Sequence, residues 1–133
     1  MNSSEEKKQF LSELIRAMRA DGNESEEEQL MIEATLEYLG ITETEYAVLK
    51  ADPDCYTPPR IDTERIVQFY QLAVLVKADG EINNREKAYL HWIGLKMGFR
   101  HEAIKGVIIG MGESPSGMLD ASEVIKIFQV FHN

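Results

Sequence analysis

The chain of 133 residues holds one cysteine and four prolines, and three of the prolines are crowded into Asp52-Pro-Asp-Cys-Tyr-Thr-Pro-Pro59. A lone thiol, Cys55, cannot close an internal disulfide, so no oxidised framework supports the fold. Long apolar runs are missing too. The longest, Val67 to Val76, is interrupted by Gln68 and Gln71 and stops at Lys77, well short of the roughly 20 residues that span a bilayer. Basic residues are scarce, 14 against 23 acidic ones, for a net charge of −9. That balance disfavours a nucleic-acid ligand, whose phosphates need clustered Lys and Arg, and adsorption to anionic lipid. Met1-Asn-Ser-Ser-Glu-Glu-Lys-Lys8 carries no apolar leader segment. A soluble cytoplasmic protein without direct membrane insertion is expected.

What is present is helical. With 44% hydrophobic and 28% charged residues, the chain can bury roughly two-thirds of its unfolded surface without metal or disulfide. Phe10, Leu11, Leu14, Ile15 and Met18 form one stripe of a helix that ends at Ala20-Asp-Gly-Asn23. Ser25 with Glu28 reads as a capping box opening a helix to Leu39, and Thr42 with Glu45 repeats the device after Gly40. The proline-rich stretch is an extended connection. Beyond it, Asp62 or Thr63 can cap a helix to about Ala78 whose apolar residues cover nearly its whole circumference, which predicts a central helix. Further helices are expected from about Asn84 to Met97, from about His101 to Gly112, and after Asp120, the last carrying Val124, Ile125, Ile127, Phe128 and Phe131. If that last helix is only half covered, Phe128 and Phe131 offer an apolar patch for a partner or for self-association.

Positions 14–49 align with 72–107 at a constant offset of 58, without a gap. Leu14/Leu72, Ala20/Ala78, Asp21/Asp79, Gly22/Gly80, Glu28/Glu86 and Gly40/Gly98 are identical, and they fall at a helix end, a turn, a cap partner and a second stop. A duplication is the economical reading. The expected fold is all-α: one domain, a compact bundle of about seven helices on two pseudo-equivalent hairpins. Repeat one covers about 8–51, the proline-rich connection 52–61, repeat two about 62–112 and a C-terminal helix about 120–132. Charge divides unevenly: residues 1–61 carry a net of −8 and residues 62–133 a net of −1.

Lys77-Ala-Asp-Gly-Glu-Ile-Asn-Asn-Arg-Glu86 resembles the signature of the TerB-like (tellurite-resistance B-like) family, and Arg19-Ala-Asp-Gly-Asn-Glu-Ser-Glu-Glu-Glu28 matches it as well. The resemblance covers roughly residues 8 to 112. It departs at the proline-rich insert with Cys55 and at Asn23-Glu24, where the second copy has Glu81-Ile82. It implies an all-helical bacterial protein with a duplicated hairpin, links to stress responses, no established catalytic activity, and kinship with the cytoplasmic N-terminal domain of a membrane-anchored DnaJ-type co-chaperone. It also implies a divalent-cation site, with Asp21, Glu28, Asp79 and Glu86 as candidate ligands.

Carboxylates from two hairpins packed about a pseudo-two-fold axis would suit a hard cation such as Ca²⁺ or Mg²⁺. The competing account is local: Asp before Gly favours the turn, and each Glu reaches back to its cap residue. An EF-hand is excluded, since Glu26 and Ile32 in one copy and Asn84 and Leu90 in the other stand where Gly and Glu are required. His101-Glu-Ala-Ile-Lys105 lacks the second His of a zinc-protease motif, and His91, His101 and His132 have no partner at ligand spacing. Gly112-Glu-Ser-Pro-Ser116 is no nucleophile elbow, no glycine-rich phosphate loop is present, and Cys55 has no neighbouring base. Two readings remain: a non-enzymatic domain binding a divalent cation through the repeated motif, or an interaction module that presents its acidic first half and C-terminal helix to a protein partner.

Overall fold

Most helices here begin where a short polar side chain takes up a first-turn N–H that the helix itself cannot pair. In the computed structural model, which describes residues 3–22, 25–53, 62–78 and 80–131, Ser3 opens α1 (Ser4–Asp21), Ser25 opens α2 (Glu26–Leu39) and Thr42 opens α3 (Glu43–Ala51). Asn83 opens α5 (Asn84–Lys96) and Asp120 opens α7 (Ala121–Val130). The remaining helices are α4 (Asp62–Lys77) and α6 (His101–Glu113), the latter begun by Arg100 without a side-chain cap. The chain is all-α, with seven helices and no strand among the described residues. Thr42/Glu45, Asn83/Glu86 and Asp120/Glu123 are complete capping boxes, and the Ser25 hydroxyl accepts from the Glu28 N–H at 3.1 Å. No described helix is long and apolar enough to cross a membrane.

Helix ends recur with the sequence offset. Gly22 N–H donates to Arg19 O and Gly80 N–H to Lys77 O, while Ile41 N–H reaches Leu36 O at 3.0 Å and Phe99 N–H reaches Gly94 O at 2.9 Å. Donor and acceptor are each displaced by 58 positions. Gly40 and Gly98 sit at φ 68° and 88° in these stops, a left-handed conformation that costs a glycine little, and the six-to-one bond closes the helix as a Schellman motif.

The chain divides into two compact units, residues 1–59 and 60–133. In the first, α1 packs on α3. Phe10, Leu11 and Leu14 are fully buried, and Ile32, Leu39 and Leu49 nearly so. Arg19 donates to the Lys50 carbonyl, and Lys8 meets Glu45 at 3.4 Å.

In the second unit, α4 packs on α5 and α7, and α6 packs on α5 and α7. Each of the four helices has two such neighbours, so α4 buries Phe69, Leu72, Ala73 and Val76 without being more central than the rest. Phe69, Phe99 and Phe128 meet edge to face, with centroids 4.8 to 6.3 Å apart, a geometry that adds to their burial. Polar groups of α4 pin the surrounding chain: Arg65 donates to the Met97 carbonyl, Lys77 Nζ donates to the Gly117 carbonyl at 2.8 Å, and the Tyr70 hydroxyl accepts from the Leu119 N–H at 2.7 Å. Tyr89 is buried, whereas Trp92 and Phe99 are half-buried.

Candidate functional site

The acidic motif is seen in part. Asp21 closes α1, but its side chain, like all of Asp79, lies outside the described residues, as do Asn23, Glu24, His132 and the connection with Cys55. Glu28 and Glu86 are half-buried one turn into α2 and α5. Glu86 Oε1 accepts from the Asn83 N–H at 2.9 Å, and Asn83 Oδ1 accepts from the Glu86 N–H at 2.8 Å. One carboxylate oxygen of Glu86 therefore performs the helix-capping task; the other is not part of that exchange. Among the described residues no group of three or more His, Cys, Asp or Glu side chains stands ready to hold a metal ion.

A second feature lies where α6 meets α7. The two glycines of Gly106-Val-Ile-Ile-Gly110 face α7 as close-approach positions. A methyl group on Gly106 would stand 2.9 Å from Ile127 Cγ2, and one on Gly110 would stand 3.1 Å from Leu119 Cδ1. Beside this contact runs a cleft of about 780 Å³, lined by Leu119, Ile127, Val130 and Phe131 and rimmed by Glu113, Glu123 and Lys126. Only half of α7 is covered: Val124 and Phe128 are buried, but Val130 is 68% and Phe131 37% exposed.

The third feature escaped the sequence. His91 on α5 and His101 on α6 stack with ring centroids 4.5 Å apart and planes at 29°. Together with Lys87 and Lys105 they line a cleft of about 230 Å³ whose apolar wall is Ile108 and Ile109. The residues come in two i, i+4 pairs, Lys87/His91 and His101/Lys105, each on one face of its helix, and the turn stopped by Gly98 folds one pair against the other. Burial holds the His91 pKa below its ordinary value, and the charges of His101 and Lys105 push it the same way. His91 Nδ1 is buried with no hydrogen-bond partner. The spacing of ten residues between the histidines matches no ligand motif, so only the pairs themselves could have signalled the site.

No protein-family model, no curated protein and no solved structure matches the chain. The TerB-like resemblance therefore rests on the two Ala-Asp-Gly motifs and their partner glutamates alone.

Proposed function

We propose that this chain is a non-enzymatic interaction module that holds the apolar face of a basic amphipathic helix, contributed by a partner protein, in the cleft between α6 and α7. The observation that carries this reading is the uncovered half of α7: Val130 and Phe131 stand exposed beside Leu119 and Ile127 in one apolar cleft. Covering the exposed parts of Val130 and Phe131 contributes on the order of 1 kcal/mol each, so several such contacts together anchor a helix. Charge selects the partner. Two carboxylates, Glu113 and Glu123, against the single ammonium of Lys126 rim the cleft, so a helix flanked by Lys or Arg is attracted and can pair with the two glutamates. The probe is an amphipathic Leu/Lys peptide and its Leu/Glu counterpart, followed by fluorescence anisotropy. The Leu/Lys peptide binds the wild type, and Val130→Asp weakens it about tenfold even though that change adds acidic charge. Binding that Val130→Asp leaves equal or strengthens is nonspecific charge attraction, and self-association in sedimentation would make a second copy the occupant; either overturns the proposal.

The acidic motif supports a second reading: a divalent cation, Ca²⁺ or Mg²⁺, held by Asp21 with Glu28 in the first copy and by Asp79 with Glu86 in the second. It is favoured by the recurrence of the same turn and cap bonds at both motifs, and opposed by the engagement of Glu86 Oε1 in its capping box. Metal-stripped protein is melted with and without each cation. At about 100 times the dissociation constant, the ligand stabilises by roughly 2.7 kcal/mol and raises the melt by a few degrees. The shift disappears in Asp79→Asn. Absence of any shift in the wild type reduces the motif to its capping role.

A further inference from the structure

We infer that the cleft formed by Lys87 and His91 of α5 with His101 and Lys105 of α6 is a binding site for a tetrahedral oxyanion, a phosphoryl or sulfuryl group. Four nitrogen bases converge on about 230 Å³, and no carboxylate lines the space. This happens in a chain whose acidic residues far outnumber its basic ones, so a local cluster of one sign has not arisen from composition. Two stacked imidazoles between two ammonium groups repel one another as they take up protons. A structural ion pair would answer that repulsion with a carboxylate on His91. Here the charged groups acting on His91 are His101 and Lys105, both cationic when protonated, and its Nδ1 has no acceptor. An anion entering this cleft meets no competing carboxylate in its lining. Glu81 belongs to the adjoining cleft, where Lys87 also lines the wall.

The chemistry favours an anion over a metal. A transition metal would find two imidazoles, but the flanking ammonium groups of Lys87 and Lys105 oppose a cation, and face-to-face stacking does not aim two ring nitrogens at one point. An oxyanion gains from all four groups, because charge-assisted hydrogen bonds from ammonium and imidazolium are the strong ones. Ile108 and Ile109 add an apolar wall, so a phosphoryl group carrying a small organic body binds better than the bare ion.

The test uses the full chain, with the histidine ring signals read by NMR during titration with sodium sulfate. Sulfate keeps its charge across the pH range where imidazole titrates, and sodium chloride at matched ionic strength is the control. The His91 and His101 signals shift saturably with sulfate, the lowered pKa of His91 rises, and affinity grows as the pH falls. Phenyl phosphate binds more tightly than inorganic phosphate. Lys87→Gln combined with Lys105→Gln changes exposed side chains only, and it weakens sulfate about tenfold or more. Shifts no larger than those with chloride overturn the site, as does unchanged affinity in the double variant. Saturation by Zn²⁺ but not by sulfate would make it a metal site instead.

Discussion

Burial of an imidazole beside other bases has a consequence for the folded state without any ligand. The His91 pKa lies below 6.5, first through desolvation and then through His101 and Lys105. The unfolded chain therefore binds the proton more readily than the native one. The stability conferred by neutral His91 is complete above about pH 6.5 and is lost as the pH falls through that value toward the lowered one. Glu45 and Asp120 are also lowered, by hydrogen bonds from Thr42 and from Ser122, but their contributions fade only in the carboxylate range, further into acid. Melting temperatures between about pH 8 and about pH 5.5 thus isolate the histidine. The melt falls across this interval in the wild type, and His91→Gln flattens the fall; a parallel slope in the variant would assign the loss to other groups. Glu86 poses a different question at the same scale. Glu86→Gln keeps an oxygen for the Asn83 N–H, so if capping is its whole task, stability and any cation response stay within about 0.5 kcal/mol of the wild type. The caps at Ser25 and Thr42 were legible in the sequence because a capping box lies within four positions. The basic cleft was not, because its halves are joined only by the fold of a hairpin.

Between helices, glycine separates two effects that usually travel together. Gly94 lies in α5 where a methyl group would stand 2.5 Å from Ile104 Cδ1, 2.7 Å from Cγ1 and 3.2 Å from Phe69 Cε1. Ile104 is fully buried and β-branched, so it has no free rotamer to move into. Gly94→Ala therefore costs about 1–3 kcal/mol through overpacking, against about 1 kcal/mol gained in helix propensity. Gly112, in the last turn of α6, has nothing within 4 Å, and Gly112→Ala keeps the propensity gain and stabilises by a few tenths to about 1 kcal/mol. Urea denaturation reads both, and opposite signs are the expected result. Two destabilised variants would mean that α6 does not tolerate a side chain at its exposed end. Asn83→Ala removes the cap that accepts the Glu86 N–H and costs about 1 kcal/mol. Most helix boundaries were readable to within a residue or two, since stripes, caps and stop glycines are local signals. The start of α1 at Ser4 was not, because its first turns precede the apolar stripe that begins at Phe10. A spacing of four puts Gly106 and Gly110 on one face of α6, but Ile127 and Leu119 become their counterparts only through packing.

On the scale of the whole chain, the uneven distribution of tethers matters more than the repeat. The unit of residues 60–133 holds the aromatic trio of Phe69, Phe99 and Phe128, and three polar clamps from α4 to distant backbone. All of these are internal to it. The unit of residues 1–59 has three helices and most of the negative charge, in a length at which a chain buries only about 60% of its unfolded surface and is marginal alone. Expressed separately, residues 60–133 keep a helical circular-dichroism spectrum and melt cooperatively, while residues 1–59 melt at much lower temperature or show little helix. Added salt raises the stability of the first fragment by screening its carboxylates and changes the second little, since residues 62–133 carry a net charge of only −1. The basic cleft and the α6–α7 cleft both lie in the second unit, so the isolated 60–133 fragment retains sulfate and Leu/Lys peptide binding. If that fragment folds yet binds neither, the ligand sites proposed for it are wrong, and the function has to be sought in the acidic first unit.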